Sequence, residues 1–218
     1  ATGLAHEIRN PLTAINVRLF TLQKSMSKGT SEHSDAALIR DEIDRLEQIL
    51  KNFLKLARPT EPKFATLTAE PALAEVRELL EPQLQRQAIE LKLGPVVGDR
   101  FQADPLQLQQ VLINLIQNAA DSIGCQGTIT LRARRAPTPC NGQTAESIVL
   151  EVEDTGTGIM PEVQERLFDP FFSTKENGTG LGLPIAAKII DQHQGTLDFE
   201  SRLGHGTIFR VILPALTR

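Results

Sequence analysis

The segment LAHEIRNPLTAINVRLFTLQKSM, residues 4–26, carries apolar residues at alternating spacings of three and four positions. These residues are Ala5, Ile8, Leu12, Ile15, Leu19, Leu22 and Met26. Such a spacing is typical of a helix that buries one seam against a neighbouring helix. A similar pattern runs from Ile39 to Ala57, and the polar residues 27–35 in between predict a turn. We therefore expect a helical hairpin whose wide apolar face requires a second copy, giving a four-helix bundle.

His6 lies beside this seam, in the string HEIRNPL of residues 6–12. Its imidazole is therefore expected to face solvent and to be available as a nucleophile at neutral pH. Glu7 follows directly, and a carboxylate bonded to one ring nitrogen leaves the other nitrogen free and can accept its proton. Pro11 lacks an N–H group, so the helix is expected to bend or loosen at this turn. The string indicates phosphoryl transfer to histidine, and a solvated His-Glu pair on a helix surface is the alternative.

Composition excludes several classes of protein. The chain has 218 residues, of which 40% are hydrophobic, and this suits one ordinary domain plus a smaller one. A formal net charge of −4 argues against a nucleic-acid partner. No apolar run approaches membrane-spanning length and no signal peptide opens the chain, so we expect no direct membrane contact by this fragment. Since His6 lies too close to Ala1 for a complete preceding heptad, we expect an input region further upstream.

The pattern changes at ARPTEPKF, residues 57–64, where prolines interrupt the helical periodicity. We predict a hairpin domain in residues 1–58, a linker in residues 59–63 and an α/β domain in residues 64–218. In the α/β domain we expect helices near Glu70–Gln87, Pro105–Ile123 and Leu183–His193. We expect strands near Thr128–Arg134, Ile148–Val152, Thr196–Glu200 and Thr207–Leu213, and an exposed loop at residues 136–146. Because helices and strands do not alternate regularly, we expect a mixed or antiparallel sheet with helices on one face, and hence an α+β chain.

The predicted helix Pro105–Ile123 separates polar from apolar residues. One side carries only amides and a carboxylate, at Gln107, Gln110, Asn114, Gln117, Asn118 and Asp121. A solvated helix face normally favours Lys and Glu, which are absent from this stripe. Oxygens of amides and carboxylates suit Mg²⁺ held together with nucleotide phosphates. The stripe therefore indicates a metal-nucleotide site, with a simple solvated surface as the alternative.

Two glycine-rich segments follow this helix. In EVEDTGTGI, residues 151–159, a predicted strand ends at Asp154 and runs into Gly156 and Gly158. A carboxylate in this place can accept a hydrogen bond from the exocyclic amine of adenine, and glycines allow the backbone to approach the ring. In FDPFFSTKENGTGLGL, residues 168–183, three spaced glycines open a helix, where backbone N–H groups can cradle phosphate.

In this order the motifs resemble those of the two-component sensor histidine kinases. HEIRNP is similar to the H box, QQVLINLIQNAADSI to the N box, DTGTG to the first glycine box, FDPFF to the F box, GTGLGL to the second glycine box, and GHGTIF to a closing glycine motif. The resemblance covers essentially the whole chain. It implies a dimeric phosphotransfer hairpin followed by an ATP-binding α/β sandwich of the Bergerat type, shared with gyrase-type topoisomerases and MutL.

The resemblance also implies roles for residues of the hairpin. His6 resembles the phosphoacceptor, and Glu7 the acidic group that assists its attack on the γ-phosphate of ATP. Asn10 matches the position that orients water when such a kinase dephosphorylates its response regulator.

In the second domain, the resemblance implies binding of ATP and Mg²⁺. Asn118 is similar to the Mg²⁺ ligand, Asn114 to a residue lining the phosphates, and Asp154 to the adenine-reading residue. The other positions that match nucleotide contacts are Gly156 and Gly158 near the base, Arg166 at the γ-phosphate, Thr174, Lys175, Gly178, Thr179, Gly180, Leu181 and Gly182 in the lid, and Thr207 near the base.

Asp121 departs from the family pattern, which places a basic or aromatic residue there. A carboxylate cannot attract phosphate directly, so Asp121 either binds Mg²⁺ through water or caps a residue of the lid. The lid is also short, and we expect Lys175 to supply the missing positive charge.

The resemblance implies ATP-dependent autophosphorylation on His6 in a cytoplasmic homodimer, followed by transfer to an aspartate of a response regulator receiver domain. Phosphatase activity towards the regulator is expected as well. Two alternatives stay open: an ATP-gated dimeric scaffold and an ATPase of the same superfamily. Attachment of a longer protein to a membrane stays open too.

Overall fold

The structure, a computed structural model, describes residues 2–26, 30–57, 60–140, 143–175 and 178–216. Side chains are described for all of these except residues 2–9, 138–140 and 143–145. The chain divides into two compact units, Ala1–Thr60 and Glu61–Arg218.

The first unit is a helical hairpin of α1 (Thr2–Ser25) and α2 (Ser31–Ala57). Helix α1 continues through Pro11, so the described backbone is not interrupted there. The side chains of His6 and Glu7 lie outside the described residues, whereas Asn10 is described and exposed.

Alternate positions of the heptad have different surroundings. The inward positions pack between the two helices: Leu19, Ala36 and Ile43 are buried, and Leu12 and Met26 pack against them. The outward positions are exposed in this single hairpin: Ile15 48%, Leu22 53%, Ile39 51%, Leu46 43% and Phe53 39%. Among the seam residues whose side chains are described, one hairpin therefore buries Leu19 and Ile43 and leaves the outward positions exposed.

The second unit begins with β1 (Ala65–Thr68), α3 (Ala69–Arg86), β2 (Ile89–Val96), β3 (Arg100–Ala103) and α4 (Pro105–Ile123). It continues with β4 (Gly127–Cys140), β5 (Gln143–Asp154), α5 (Pro161–Gln164), α6 (Gly182–Gln192), β6 (Thr196–Arg202) and β7 (Gly206–Pro214). Five strands form one sheet in the order β2-β4-β5-β7-β6, in which only the β2–β4 pair is parallel. Strands β1 and β3 form a separate antiparallel pair. The predicted mixed sheet is confirmed.

Alternation along the strands gives this sheet one apolar face. Leu131, Val152 and Phe209 are paired across β4, β5 and β7, and all three are buried under helices α3, α4 and α6. The opposite face carries charged pairs, such as Arg132 with Glu153 at 2.6 Å. Asp154, two residues after Val152 at the end of β5, lies on the same apolar face, towards the helices.

The expected exposed loop at residues 136–146 is wrong. Strands β4 and β5 continue to pair through Ala136↔Ser147 as far as Cys140↔Gln143. Strand β2 pairs with β4 only up to Ala133, so beyond that residue one edge of β4 has no partner from β2. Pro137 and Pro139 therefore fit in the strand without removing a ladder hydrogen bond on that edge.

Candidate functional site

Asp154 lies at the end of β5 and is 3% exposed. Its Oδ1 accepts a hydrogen bond from the backbone N–H of Gly156 at 2.7 Å, and the N–H of Thr207 also donates to the carboxylate. Burial raises the pKa of Asp154, and these two hydrogen bonds offset only part of that rise. The arrangement fixes a buried acceptor at the end of the central strand β5, and such an acceptor suits an amine donor such as that of adenine.

Glycine is required around Asp154 because other backbone segments lie where a Cβ would be. A Cβ on Gly206, whose φ is 89°, would overlap the carbonyl oxygen of Asp154. A Cβ on Gly158, whose φ is 71°, would overlap the carbonyl of Arg202. A Cβ on Gly156 would overlap the hydroxyl of Ser122 at the end of α4. The first glycine box and the closing motif therefore pack closely around one carboxylate.

Thr207 also belongs to this cluster and is buried. Its hydroxyl lies 2.9 Å from Ser201 Oγ on the neighbouring strand β6. Ser201 Oγ also accepts from the N–H of Ile159 at 2.9 Å, which joins the loop after β5 to β6. Ser201 was missed in the sequence because only the register Ser201↔Thr207 makes it part of the cluster.

Helix α4 presents its predicted polar stripe away from the core, whereas Leu108, Leu112, Leu115, Ile116 and Ala119 are buried. Asn114 Nδ2 donates to the carbonyl oxygen of Gly182 at 3.2 Å. Gly182 is the first residue of α6, so this bond joins the middle of α4 to the start of α6. Two residues predicted to contact phosphates are thus in direct contact.

Asn118 and Asp121 lie further along the same stripe and share one partner. Lys175 Nζ lies 3.1 Å from Asn118 Oδ1 and 2.7 Å from Asp121 Oδ2. The structure thus places Asp121 in contact with a lid residue, whereas its role towards Mg²⁺ remains a prediction. The oxygens of Asn118 and Asp121 therefore face one positive charge, that of the Lys175 ammonium group.

A backbone hydrogen bond joins the two ends of the lid that carries Lys175. The N–H of Phe171 donates to the carbonyl oxygen of Gly180 at 3.0 Å, and Gly180 has a φ of 63°. Leu181 is fully buried and anchors the C-terminal end of the lid, where its N–H donates to Thr179 Oγ1 at 3.4 Å. The N–H of Gly178 donates to the carbonyl oxygen of Lys175 at 3.1 Å.

Arg166 and Thr174 are placed differently. The Arg166 guanidinium stacks on the ring of Phe172, 4.2 Å from its centroid, and its Nε lies 3.5 Å from Asp169. Its contacts thus lie within the F box, and Thr174 is exposed. The structure joins Asp154 with its glycines, Asn114 with Gly182, and Asn118 and Asp121 with Lys175. The role predicted for Arg166 at the γ-phosphate remains a prediction.

The residues present fit Mg²⁺ only together with a nucleotide. Among the described residues, no group of three or more His, Cys, Asp or Glu side chains could hold a metal ion. Asn118 Oδ1 and Asp121 Oδ2, which both contact Lys175 Nζ, are far fewer oxygens than the octahedral set that Mg²⁺ takes, so phosphates and water would have to complete such a site.

Family models match both units. Residues 1–62 match the His Kinase A (phospho-acceptor) domain, and residues 103–217 match the histidine kinase-, DNA gyrase B- and HSP90-like ATPase domain. The chain belongs to the histidine kinases. This kinase core is 35% identical to sensor histidine kinase ZraS of Salmonella typhimurium over 219 aligned residues, covering 100% of this chain and 46% of that protein. It therefore spans about half the length of the curated relatives that it matches.

Solved structures of histidine kinases are similar to this kinase core as well. Full-length ShkA in complex with AMPPNP matches with a TM-score of 0.78 and 26% identity, over 100% of this chain and 46% of that one. Histidine kinase ThkA in complex with response regulator protein TrrA matches with a TM-score of 0.72 and 30% identity, over 99% of this chain and 60% of that one. No helix in the described part of the kinase is long and apolar enough to cross a membrane.

Proposed function

We propose that this chain is the catalytic core of an ATP-dependent protein-histidine kinase that phosphorylates His6. The single observation that supports this most strongly is the match of residues 1–62 to a phosphoacceptor domain whose expected histidine is His6. The second support is the buried Asp154 with its close-packed glycines, which forms a purine acceptor in a chain whose relative ShkA was solved with AMPPNP.

In the proposed complex, Asp154 accepts a hydrogen bond from the adenine amine, and Gly156, Gly158 and Thr207 border the base. The lid residues Thr174, Lys175, Gly178, Thr179, Gly180, Leu181 and Gly182, together with Asn114 and Arg166, surround the phosphates. Asn118 binds Mg²⁺ with the phosphate oxygens. When bound, Mg²⁺ offsets the charge that develops on those oxygens during transfer.

The chemical step joins His6 to the terminal phosphate. A ring nitrogen of His6 attacks the γ-phosphorus, the bond from that phosphorus to the oxygen of the β-phosphate breaks, and ADP leaves with the electron pair. The proton of the attacking imidazole passes to Glu7. The protein contributes mainly positioning and charge stabilisation, because phosphoryl transfer needs little covalent assistance.

The phosphoryl group then passes to an aspartate of a response regulator receiver domain, and ThkA, a relative, was solved in complex with such a regulator. We assign Asn10, exposed on α1, to orienting water when the kinase dephosphorylates this regulator. The exposed residues Ile15, Leu22, Ile39, Leu46 and Phe53 form the face that a second hairpin covers in a homodimer. Such a core, supplied with ATP, works in the cytoplasm.

Incubation of the purified chain with γ-labelled ATP and Mg²⁺ tests the proposal. We expect protein-bound label that is stable in base and labile in acid, and that is absent from the His6→Gln variant. His33→Gln is the matched control, since His33 lies on α2 and is predicted to have no part in the transfer. Release of free phosphate without labelled protein would instead indicate an ATPase, and binding without either product would indicate a scaffold.

A further inference from the structure

The ammonium group of Lys175 lies where the proposed metal site needs a positive charge. It contacts Asn118 Oδ1 at 3.1 Å and Asp121 Oδ2 at 2.7 Å. Asn118 is the residue proposed to bind the metal, and an ammonium group 3.1 Å from its amide oxygen repels a divalent cation that approaches the same atom. The lid and the metal therefore share one ligand.

The position of Lys175 is set by its own segment as well as by its ion pair. The N–H of Lys175 donates to Ser173 Oγ at 3.1 Å, and its carbonyl oxygen accepts from the N–H of Gly178 at 3.1 Å. The base of the lid is closed by the hydrogen bond between Phe171 and Gly180. These contacts hold the backbone of Lys175 in a turn, from which its side chain reaches α4.

We propose that Lys175 is an internal counter-cation that pairs with Asp121 and covers the metal-binding oxygen of Asn118 until Mg²⁺ and nucleotide displace it. This inference rests on the proposed function, because it concerns the same nucleotide site. Displacement frees the ammonium group at the moment when the polyphosphate brings negative charge to the lid. Entry of the metal is thereby coupled to release of the Lys175 side chain from α4.

The contact is weak enough to exchange. The side chains of Lys175 and Asp121 are 40% and 54% exposed, so solvent screens the ion pair. Exposed ion pairs of this kind change an equilibrium by about two- to fivefold. We therefore expect removal of the ammonium group to lower the Mg²⁺ concentration needed for half-maximal tightening of ADP binding by about two- to fivefold.

The test is isothermal titration of the full chain with ADP at a series of Mg²⁺ concentrations. Lys175→Met is expected to shift the Mg²⁺ midpoint downward, and Lys175→Arg, which keeps the charge, to restore it towards the unmodified value. Lys188→Met is the matched control, since Lys188 is an exposed lysine paired with Asp191 on α6. Its midpoint is expected to equal that of the unmodified chain.

A Lys175→Met midpoint that equals or exceeds that of Lys188→Met would overturn the inference, since a lysine that only supports the phosphates does not compete with the metal. If the unmodified chain binds no ADP at any Mg²⁺ concentration, the proposed function itself is wrong and the inference fails with it.

Discussion

The imidazole of His193 accepts a hydrogen bond from the backbone N–H of Asp104, with Nε2 and the amide nitrogen 2.9 Å apart. The other ring nitrogen, Nδ1, lies 2.7 Å from the carbonyl oxygen of Ile189, so Nδ1 carries the proton and donates it there. The carboxylate of Asp104 caps α4 by accepting from Leu106 and Gln107, and it also accepts from the N–H of Lys63 at 2.7 Å. One buried pair thus joins the end of α6, the start of α4 and the first residues of the second unit.

Replacing His193 with leucine leaves the buried N–H of Asp104 without its acceptor. We expect the free energy of unfolding to fall by about 1–3 kcal/mol, the usual cost of an unsatisfied buried donor. His193→Gln keeps an amide oxygen of similar reach and is expected to lose less. Urea unfolding of the three proteins measures the difference, and equal stability of the leucine and glutamine variants would argue against the assigned hydrogen bond.

Asp154 makes the free energy of unfolding depend on pH, and the sign of this dependence follows from its raised pKa. Between the ordinary value of 3.8 and the raised pKa, the native state binds more protons than the unfolded state, so the contribution of Asp154 to stability falls as pH rises. Asp154→Asn removes this titration. The stability of the native sequence relative to this variant should therefore decrease with rising pH across that window, as measured by urea unfolding at several pH values. A relative stability that increases with pH would show that the pKa of Asp154 is lowered and not raised.

Comparing alanine variants of Gly204 and Gly206 separates the cost of backbone strain from the cost of steric overlap. Both have positive φ, of 78° and 89°, but a Cβ on Gly204 meets nothing within 4 Å, whereas one on Gly206 overlaps the carbonyl of Asp154. Gly204→Ala is expected to cost about 1–2 kcal/mol from its left-handed backbone alone. Gly206→Ala should cost clearly more and weaken ADP binding, because the strand that donates to Asp154 must shift. Equal losses in thermal unfolding would show that the overlap relaxes freely.

Local periodicity was sufficient to predict α4 and the place of Asp154 at the end of a strand. The apolar positions of α4 and the carboxylate before the first glycine box follow from spacing within one segment, and the structure buries both. Strands β1, β2 and β3 were missed, because each is short or pairs with residues far away in sequence. The parallel pairing of Ile89 with Gly127, for example, has no local signal.

The partners of charged side chains could not be predicted from the sequence either. The sequence left two roles open for Asp121, and only the tertiary approach of the lid to α4 selects the contact with Lys175. Asp104 and His193 lie 89 positions apart, so their pairing could not be read from spacing. The prolines near Cys140 were interpreted as a loop, although they lie on a strand edge where proline is tolerated.

Glu7→Gln separates the proposed chemistry from nucleotide binding. Loss of the proton acceptor is expected to slow autophosphorylation by about 100- to 10,000-fold, the usual contribution of a general base. Because Glu7 lies in the hairpin unit, the dissociation constant of ADP should stay within about twofold of the unmodified value. Single-turnover labelling and calorimetry measure the two quantities. Unchanged labelling would remove Glu7 from the proposed role.

Leu46→Asp tests the proposed dimer. Leu46 is 43% exposed in the single hairpin and shares its heptad position with Ile39 and Phe53, so a charge there would be buried if a second copy covers this face. We expect sedimentation to change from dimer to monomer for this variant, while the control Asp44→Lys, an exposed charge reversal away from this stripe, keeps the dimer. Helicity of the monomer should persist at low temperature, because Leu19, Ala36 and Ile43 are packed within one hairpin. A dimer that survives Leu46→Asp would place the contact between copies on another face.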